Sequence, residues 1–301
     1  MRGTRKRKQP HPQSSARSPK TTVNSGRATV GTPFPDHPWP TPEECRSVRD
    51  DLLSLHGFPQ EFIKYRNQRL ETKPQVKDSA KFEPLINGGE ADEKESVLDG
   101  LVKTILSQNT TELNSERAFA SLKNAFPTWQ DVLAAESKCI EDAIRCGGLA
   151  PTKSSCIKNL LSHLLEKKGK LCMEYLRELS IEEVKAELSL LKGIGPKTVA
   201  CVLMFHLQHD DFPVDTHVFQ IAKTMGWVPA TADIKSAYLH LNKQIPGELK
   251  FDLNCLLYTH GKVCRKCSNR KVEKKNKGIE DGDCPLLAYS RKCTVKTEIP
   301  N

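Results

Sequence analysis

Lys197 and Asp215 are the residues of this chain whose types and spacing suggest covalent chemistry. They lie 18 residues apart, in Leu191-Lys-Gly-Ile-Gly-Pro-Lys-Thr-Val-Ala200 and Val214-Asp-Thr-His217, and the spacing predicts them at the two ends of a short helix. An amine can attack an electron-poor carbon, displace its leaving group and leave an imine. A carboxylate beside it can move protons and stabilise developing positive charge. The amine must be neutral when it attacks. A helix N-terminus disfavours the ammonium, whereas a nearby carboxylate favours it. Gly193 and Gly195 predict a tight hairpin, because glycine adopts backbone angles that side-chain-bearing residues resist. Pro196 suits the first helical turn, where its missing N–H costs nothing. The free N–H groups of such a helix start can seat a phosphate. Gly193, Gly195 and Thr198 are therefore candidate nucleic-acid contacts. Asp215 before a threonine also reads as a helix cap, and His217 reads as a packing residue.

The elements that must position these groups are helical. Leu98, Leu101, Val102, Ile105 and Leu106 follow the i, i+3, i+4, i+7, i+8 spacing of one buried face, as do Ile157, Leu160, Leu161, Leu164 and Leu165. A further helix over residues 182–191 leads into the hairpin. Thr41 and Pro42 fit the cap and first turn of an early helix. No run of alternating strand residues stands out. The sequence predicts an all-α fold, with residues 71–92 as a polar loop. Gln108 and Asn109 end the early helix in a polar turn, and Lys153 follows a second glycine turn at 147–148.

Val97-Leu-Asp-Gly-Leu-Val-Lys-Thr-Ile-Leu-Ser-Gln-Asn-Thr-Thr111, Ile144-Arg-Cys-Gly-Gly-Leu-Ala-Pro-Thr-Lys-Ser-Ser155, the hairpin and Val214–His217 occur in the order found in the helix-hairpin-helix DNA glycosylases. The chain resembles the endonuclease III group of that superfamily from about residue 93 to 293. The resemblance implies two helical lobes with DNA bound across the cleft between them. It maps one lobe to about residues 112–213 and assigns the earlier helices and the chain after Asp215 to the other. It implies that Lys197 is the nucleophile and Asp215 its partner, and that the chain is a glycosylase with abasic-site lyase activity in base-excision repair. Oxidised pyrimidines are the implied substrates, with mismatched thymine or 5-methylcytosine as alternatives within the superfamily. The position of Gln108 resembles one from which a side chain enters the gap left by an extruded base. Asn109 and Lys153 are expected beside it, Lys153 on a phosphate. The competing reading is a DNA-binding adaptor or damage sensor without catalysis.

The cysteines form a separate group. Most are scattered in helical context and read as packing residues. Cys264, Cys267, Cys284 and Cys293 instead have the spacing of a metal site, which can be zinc or iron–sulfur. His260-Gly-Lys-Val-Cys264 and Cys284-Pro-Leu286 resemble the flanks of the family's cluster loop, and this implies a [4Fe–4S] centre held by the four cysteines. The spacing departs from the family's: two, sixteen and eight residues separate the cysteines where six, two and five are usual. Ser290 stands where the usual fourth cysteine would fall. Zinc, or no metal, remains an alternative.

Charge is unevenly distributed. The chain of 301 residues has a formal charge of +9, yet residues 1–35 carry eight Lys/Arg and no acid. DNA affinity in the body must therefore come from local placement of charge and backbone N–H groups. The basic cluster Arg5-Lys-Arg-Lys8 suggests nuclear localisation, with an organellar address as the alternative. No run of about 18 apolar residues is present to cross a membrane. The expected organisation is a disordered basic tail over 1–40, helices and a polar loop over 41–92, a glycosylase core over 93–262 and a cysteine-rich segment over 263–301. A monomer acting on double-stranded DNA with damaged bases or abasic sites is expected.

Overall fold

The computed structural model describes residues 32–72, 95–264, 266–267 and 284–291. Among these residues the regular structure is entirely helical. The α-helices are α1 (Pro42–His56), α2 (Ile63–Thr72), α3 (Val97–Leu106), α4 (Glu112–Ala125), α5 (Trp129–Ala134), α6 (Ser137–Ala143), α7 (Ala150–Lys168), α8 (Ile181–Ser189), α9 (Pro196–Cys201), α10 (Thr216–Met225), α11 (Ile234–Gln244) and α12 (Gly247–Val263). Most of the polar loop expected over 71–92 lies outside the described residues, as do the basic cluster near the N-terminus and Cys293.

The helix starts follow from local chemistry. Thr41, Ser96, Thr111, Thr128, Ser180, Asp215 and Asp233 each accept a hydrogen bond from the backbone N–H three residues on. Each satisfies a donor that the first helical turn leaves without a carbonyl.

Two hydrophobic cores define two lobes. The first gathers the apolar faces of α3 to α9, including Leu101, Ile105, Leu160 and Val199. The second gathers α1 and α10 to α12 with Cys264, Cys267, Cys284 and Leu286. This corrects the lobe map taken from the resemblance: α3 belongs to the first core. The reason is its composition, since seven residues, from Val97 to Leu106, are buried on a ten-residue helix. A helix apolar on nearly all sides has to lie inside a lobe. The tail boundary also moves. Phe34 packs against the second core, and the Trp39 carbonyl lies 2.7 Å from His240 Nε2, so residues 32–40 are part of that lobe.

A small aromatic cluster joins the lobes. Met204, Phe251 and Cys255 pack with Phe58, Phe62, Tyr65 and Phe205. Arg69 of α2 donates to the carbonyls of Met204 and His209 and pairs with Asp210. It thereby holds the segment that crosses from one lobe to the other.

Candidate active site

The hairpin is a turn between α8 and α9. Its Ile194 N–H bonds to the Leu191 carbonyl at 3.1 Å. Gly193 has φ +93°, and a Cβ there would meet Cys156 Sγ at 2.7 Å, so both backbone angle and space require glycine. Gly195 differs from the expectation for it. Its φ of −89° is open to any residue, and it serves as the N-cap of α9. Pro196 opens the helix as expected, and Lys197 follows as an exposed residue.

Lys197 and Asp215 do not terminate one helix. α9 is six residues long and passes into a π-helical turn over Val202–His206, and an extended crossing then leads to Asp215 at the start of α10. The Leu207 N–H reaches back five residues to the Val202 carbonyl at 3.0 Å. Wide turns of this kind interrupt the regular helical register. Asp215 Oδ1 accepts from the Val218 N–H at 2.8 Å, so the carboxylate caps α10. Residues of α12 support the crossing: Asn254 Nδ2 donates to the Pro213 carbonyl at 2.7 Å and Lys250 Nζ to the Asp210 carbonyl at 3.0 Å. His217 packs. A Cβ on Gly261 would come within 2.7 Å of its own Cβ, and its ring meets Tyr258 edge-on at 5.9 Å.

Lys197 and Asp215 line the same cavity of about 390 Å³, a size in the range of small-ligand pockets. Residues of both lobes form its wall, among them Lys103, Thr104, Phe119, His206 and Tyr258. Burial is the largest influence on Cys201, one turn beyond Lys197, and pushes its thiol up to about 11. Lys197 acts to lower it and Asp215 to raise it. A thiol that holds its proton is a poor competitor of an amine as nucleophile. Burial likewise pushes the Tyr258 phenol up to about 12, with Asp215 and Glu112 adding to the effect. His206 reaches the cavity because Gly100 leaves room: a Cβ there would overlap the imidazole at 2.3 Å. Burial alone would raise the Glu95 carboxyl, but His206, Lys103 and Lys64 outweigh it and hold it down at about 2.

The polar turn after α3 carries Gln108 and Asn109. Asn109 is exposed with φ +51°, a left-handed conformation that asparagine tolerates well. Gln108 is half-buried, and its Nε2 donates to Thr198 Oγ1 at 3.1 Å. Thr198 is buried with its hydroxyl turned to Gln108. Lys153 departs from the expectation that it is open to a phosphate. It is 2% exposed, and its Nζ donates to the carbonyls of Leu106 and Gly147 at 2.7 and 2.8 Å. The α3 terminus leaves carbonyls without helical partners, and the buried ammonium satisfies one of them. This lysine therefore ties the Gln108 turn to the glycine turn before α7. Leu149 lies in that second turn, and nothing in its sequence context marks it out. It is 52% exposed, with φ +50°. A leucine in the left-handed region is uncommon, and such strain persists only where surrounding structure fixes it.

Comparison with known proteins agrees with this architecture. The model of HhH-GPD superfamily base excision DNA repair proteins matches residues 102–246. An Arabidopsis thaliana protein named "Putative DNA glycosylase At3g47830" is 61% identical over 275 residues, which cover 90% of this chain and 92% of that protein. The chain belongs to the HhH-GPD superfamily. Endonuclease III of Thermotoga maritima is 30% identical over 166 residues, 55% of this chain and 73% of that enzyme. Protein ROS1A of Oryza sativa subsp. japonica is 31% identical over 204 residues, 67% of this chain but only 10% of that longer protein. A solved non-covalent endonuclease III–DNA complex shares the fold with a TM-score of 0.58 at 20% identity, covering 84% of this chain and 96% of that one. The cavity and the hairpin thus belong to an HhH-GPD fold.

Away from the cavity, the HhH-GPD chain carries a buried group of potential metal ligands: His260, Cys264, Cys267 and Cys284. His260 takes the place that the cysteine spacing assigns to a fourth thiolate. Its Nδ1 lies 2.9 Å from His56 Nε2. Ser290, at the place of the usual fourth cysteine, donates instead to the Thr224 carbonyl at 3.1 Å.

Proposed function

We propose that this HhH-GPD protein is a DNA glycosylase with abasic-site lyase activity. The observation that carries the reading is that Lys197 and Asp215, 18 residues apart in sequence, line one cavity formed by both lobes. In this reading the cavity receives a base extruded from the duplex. The neutral Lys197 amine attacks C1′, the bond from C1′ to the base breaks, and the base departs after gaining a proton. Asp215 stabilises positive charge on the sugar and takes up the proton released by the amine. Asp215 returns that proton to the ring oxygen O4′ as the C1′–O4′ bond breaks, which opens the sugar and leaves an iminium at C1′. The iminium allows a C2′ proton to leave, and the C2′–H electrons form a C2′–C3′ double bond and expel the 3′ phosphate. Water then releases Lys197 from the cleaved strand. Leu149 and Gln108, on the two turns joined by Lys153, fill the gap in the duplex, since an apolar wedge and a hydrogen-bonding filler offset the cost of unstacking.

The substrate class in this reading is an oxidised pyrimidine. The family resemblance supports it, and the similarity to a protein named DNA glycosylase/AP lyase ROS1 of Arabidopsis thaliana, 34% identical over 118 residues, supports the lyase step. The Arg5–Lys8 cluster supports a nuclear location. The test is borohydride trapping on a duplex with one abasic site, followed by duplexes bearing an oxidised pyrimidine, a thymine mismatch or 5-methylcytosine. A covalent adduct that disappears in Lys197→Gln is expected. Retained DNA binding with no adduct in the wild type would overturn the enzyme reading in favour of an adaptor.

A further inference from the structure

His260 lies in the last turn of α12, and Cys264 caps the end of that helix, its N–H bonded to the His260 carbonyl at 2.8 Å. Residues four apart share a helix face. Cys267 and Cys284 join them from the chain beyond. All four potential ligand atoms lie within 4.8 Å of one another, and all four residues are buried.

These distances discriminate between metal centres. Zinc binds thiolate at about 2.3 Å and imidazole at about 2.0–2.1 Å with tetrahedral angles. Such a site separates two sulfurs by about 3.8 Å and a sulfur from a nitrogen by about 3.5 Å. Here Cys267 Sγ and Cys284 Sγ are 3.6 Å apart, and Cys284 Sγ is 3.5 Å from His260 Nε2. A four-iron cluster places each thiolate on its own iron at a separate corner. Its ligands must stand wider apart than those of one shared ion, so this group does not fit the cluster that the family implies.

We propose that His260 Nε2 and the sulfurs of Cys264, Cys267 and Cys284 bind a single zinc ion as a closed, structural Cys3His site. Three thiolates and one imidazole make a recurrent donor set for such sites. His56 is the positioning residue. Its contact with His260 Nδ1 leaves Nε2 to face the sulfurs, as a ligating histidine commonly has its other nitrogen engaged in a hydrogen bond. The ion fastens the end of α12 to the chain beyond it. The same helix presents Asn254 and Tyr258 to the cavity, and Gly261 is packed on His217.

The test is metal and acid-labile sulfide analysis of the full chain, purified without oxygen from cells supplied with both iron and zinc. One zinc per chain and no sulfide is expected. Cys293→Ser should retain the zinc and His260→Ala should lose it. His260→Cys, which keeps a fourth ligand, should retain zinc and the helical circular dichroism even if the alanine variant fails to fold. Four irons with sulfide, loss of metal in Cys293→Ser, or no metal in the wild type would each overturn the proposal.

Discussion

Replacing Lys153 by methionine removes the ammonium but keeps most of the side chain's length. In the wild type that ammonium donates to the Leu106 and Gly147 carbonyls, and the residue is almost fully buried. A hydrogen bond from a charged donor contributes about 1.5–3 kcal/mol net, and an orphaned buried acceptor costs about 1–3 kcal/mol. Against this, methionine escapes the several kcal/mol needed to desolvate a buried ammonium. Because both carbonyls stay behind without a donor, the loss should prevail, for a net destabilisation of about 2–4 kcal/mol. For a protein of this size each kcal/mol lowers Tm by roughly 2–4 °C, so a fall of roughly 5–15 °C is expected in thermal unfolding followed by circular dichroism. Hydrogen exchange should accelerate selectively over 105–110 and 145–150, the two turns that the lysine joins. If those turns grip the duplex together, binding to an abasic duplex should weaken about tenfold, equivalent to 1.4 kcal/mol. A Tm within ~2 °C of wild type together with unchanged exchange in both turns would refute the tether.

Asp215→Asn separates capping from chemistry. Asparagine caps helices about as well as aspartate, so Tm should hold while single-turnover base release falls by roughly 10²-fold or more. An equal loss of stability and rate would assign Asp215 to structure alone. Gly193→Ala should cost about 1–2 kcal/mol through its positive φ, with a further penalty from Cys156 Sγ at 2.7 Å. Adding Cys156→Ala should recover only the steric part in urea denaturation, and full recovery would refute the backbone argument. The Glu95 carboxyl is held at about 2 in the folded protein against 4.5 when free. A depressed value means that its contribution is complete above pH 4.5 and disappears as pH falls toward 2. Glu95→Gln should therefore flatten the loss of stability across that window, and parallel pH profiles for the two proteins would count against the interaction.

The sequence by itself determined the features that depend on near neighbours. Thr41 and Asp215 cap helices because each bonds to a backbone N–H three residues away, and such contacts can be read from the chain. The hairpin before Lys197 and the apolar faces of α3 and α7 are legible for the same reason. Only the tertiary structure decided where long side chains and distant residues meet. Lys153 looked available for a phosphate until two carbonyls, one of them 47 residues away, enclosed its ammonium. His206 lies against Gly100, and His260 joins Cys284 across 24 residues of sequence. Local spacing fixes which face of a helix a residue occupies. The packing of separate helices then selects the groups that share a buried space, and with them the cavity wall and the donor set of the proposed metal site.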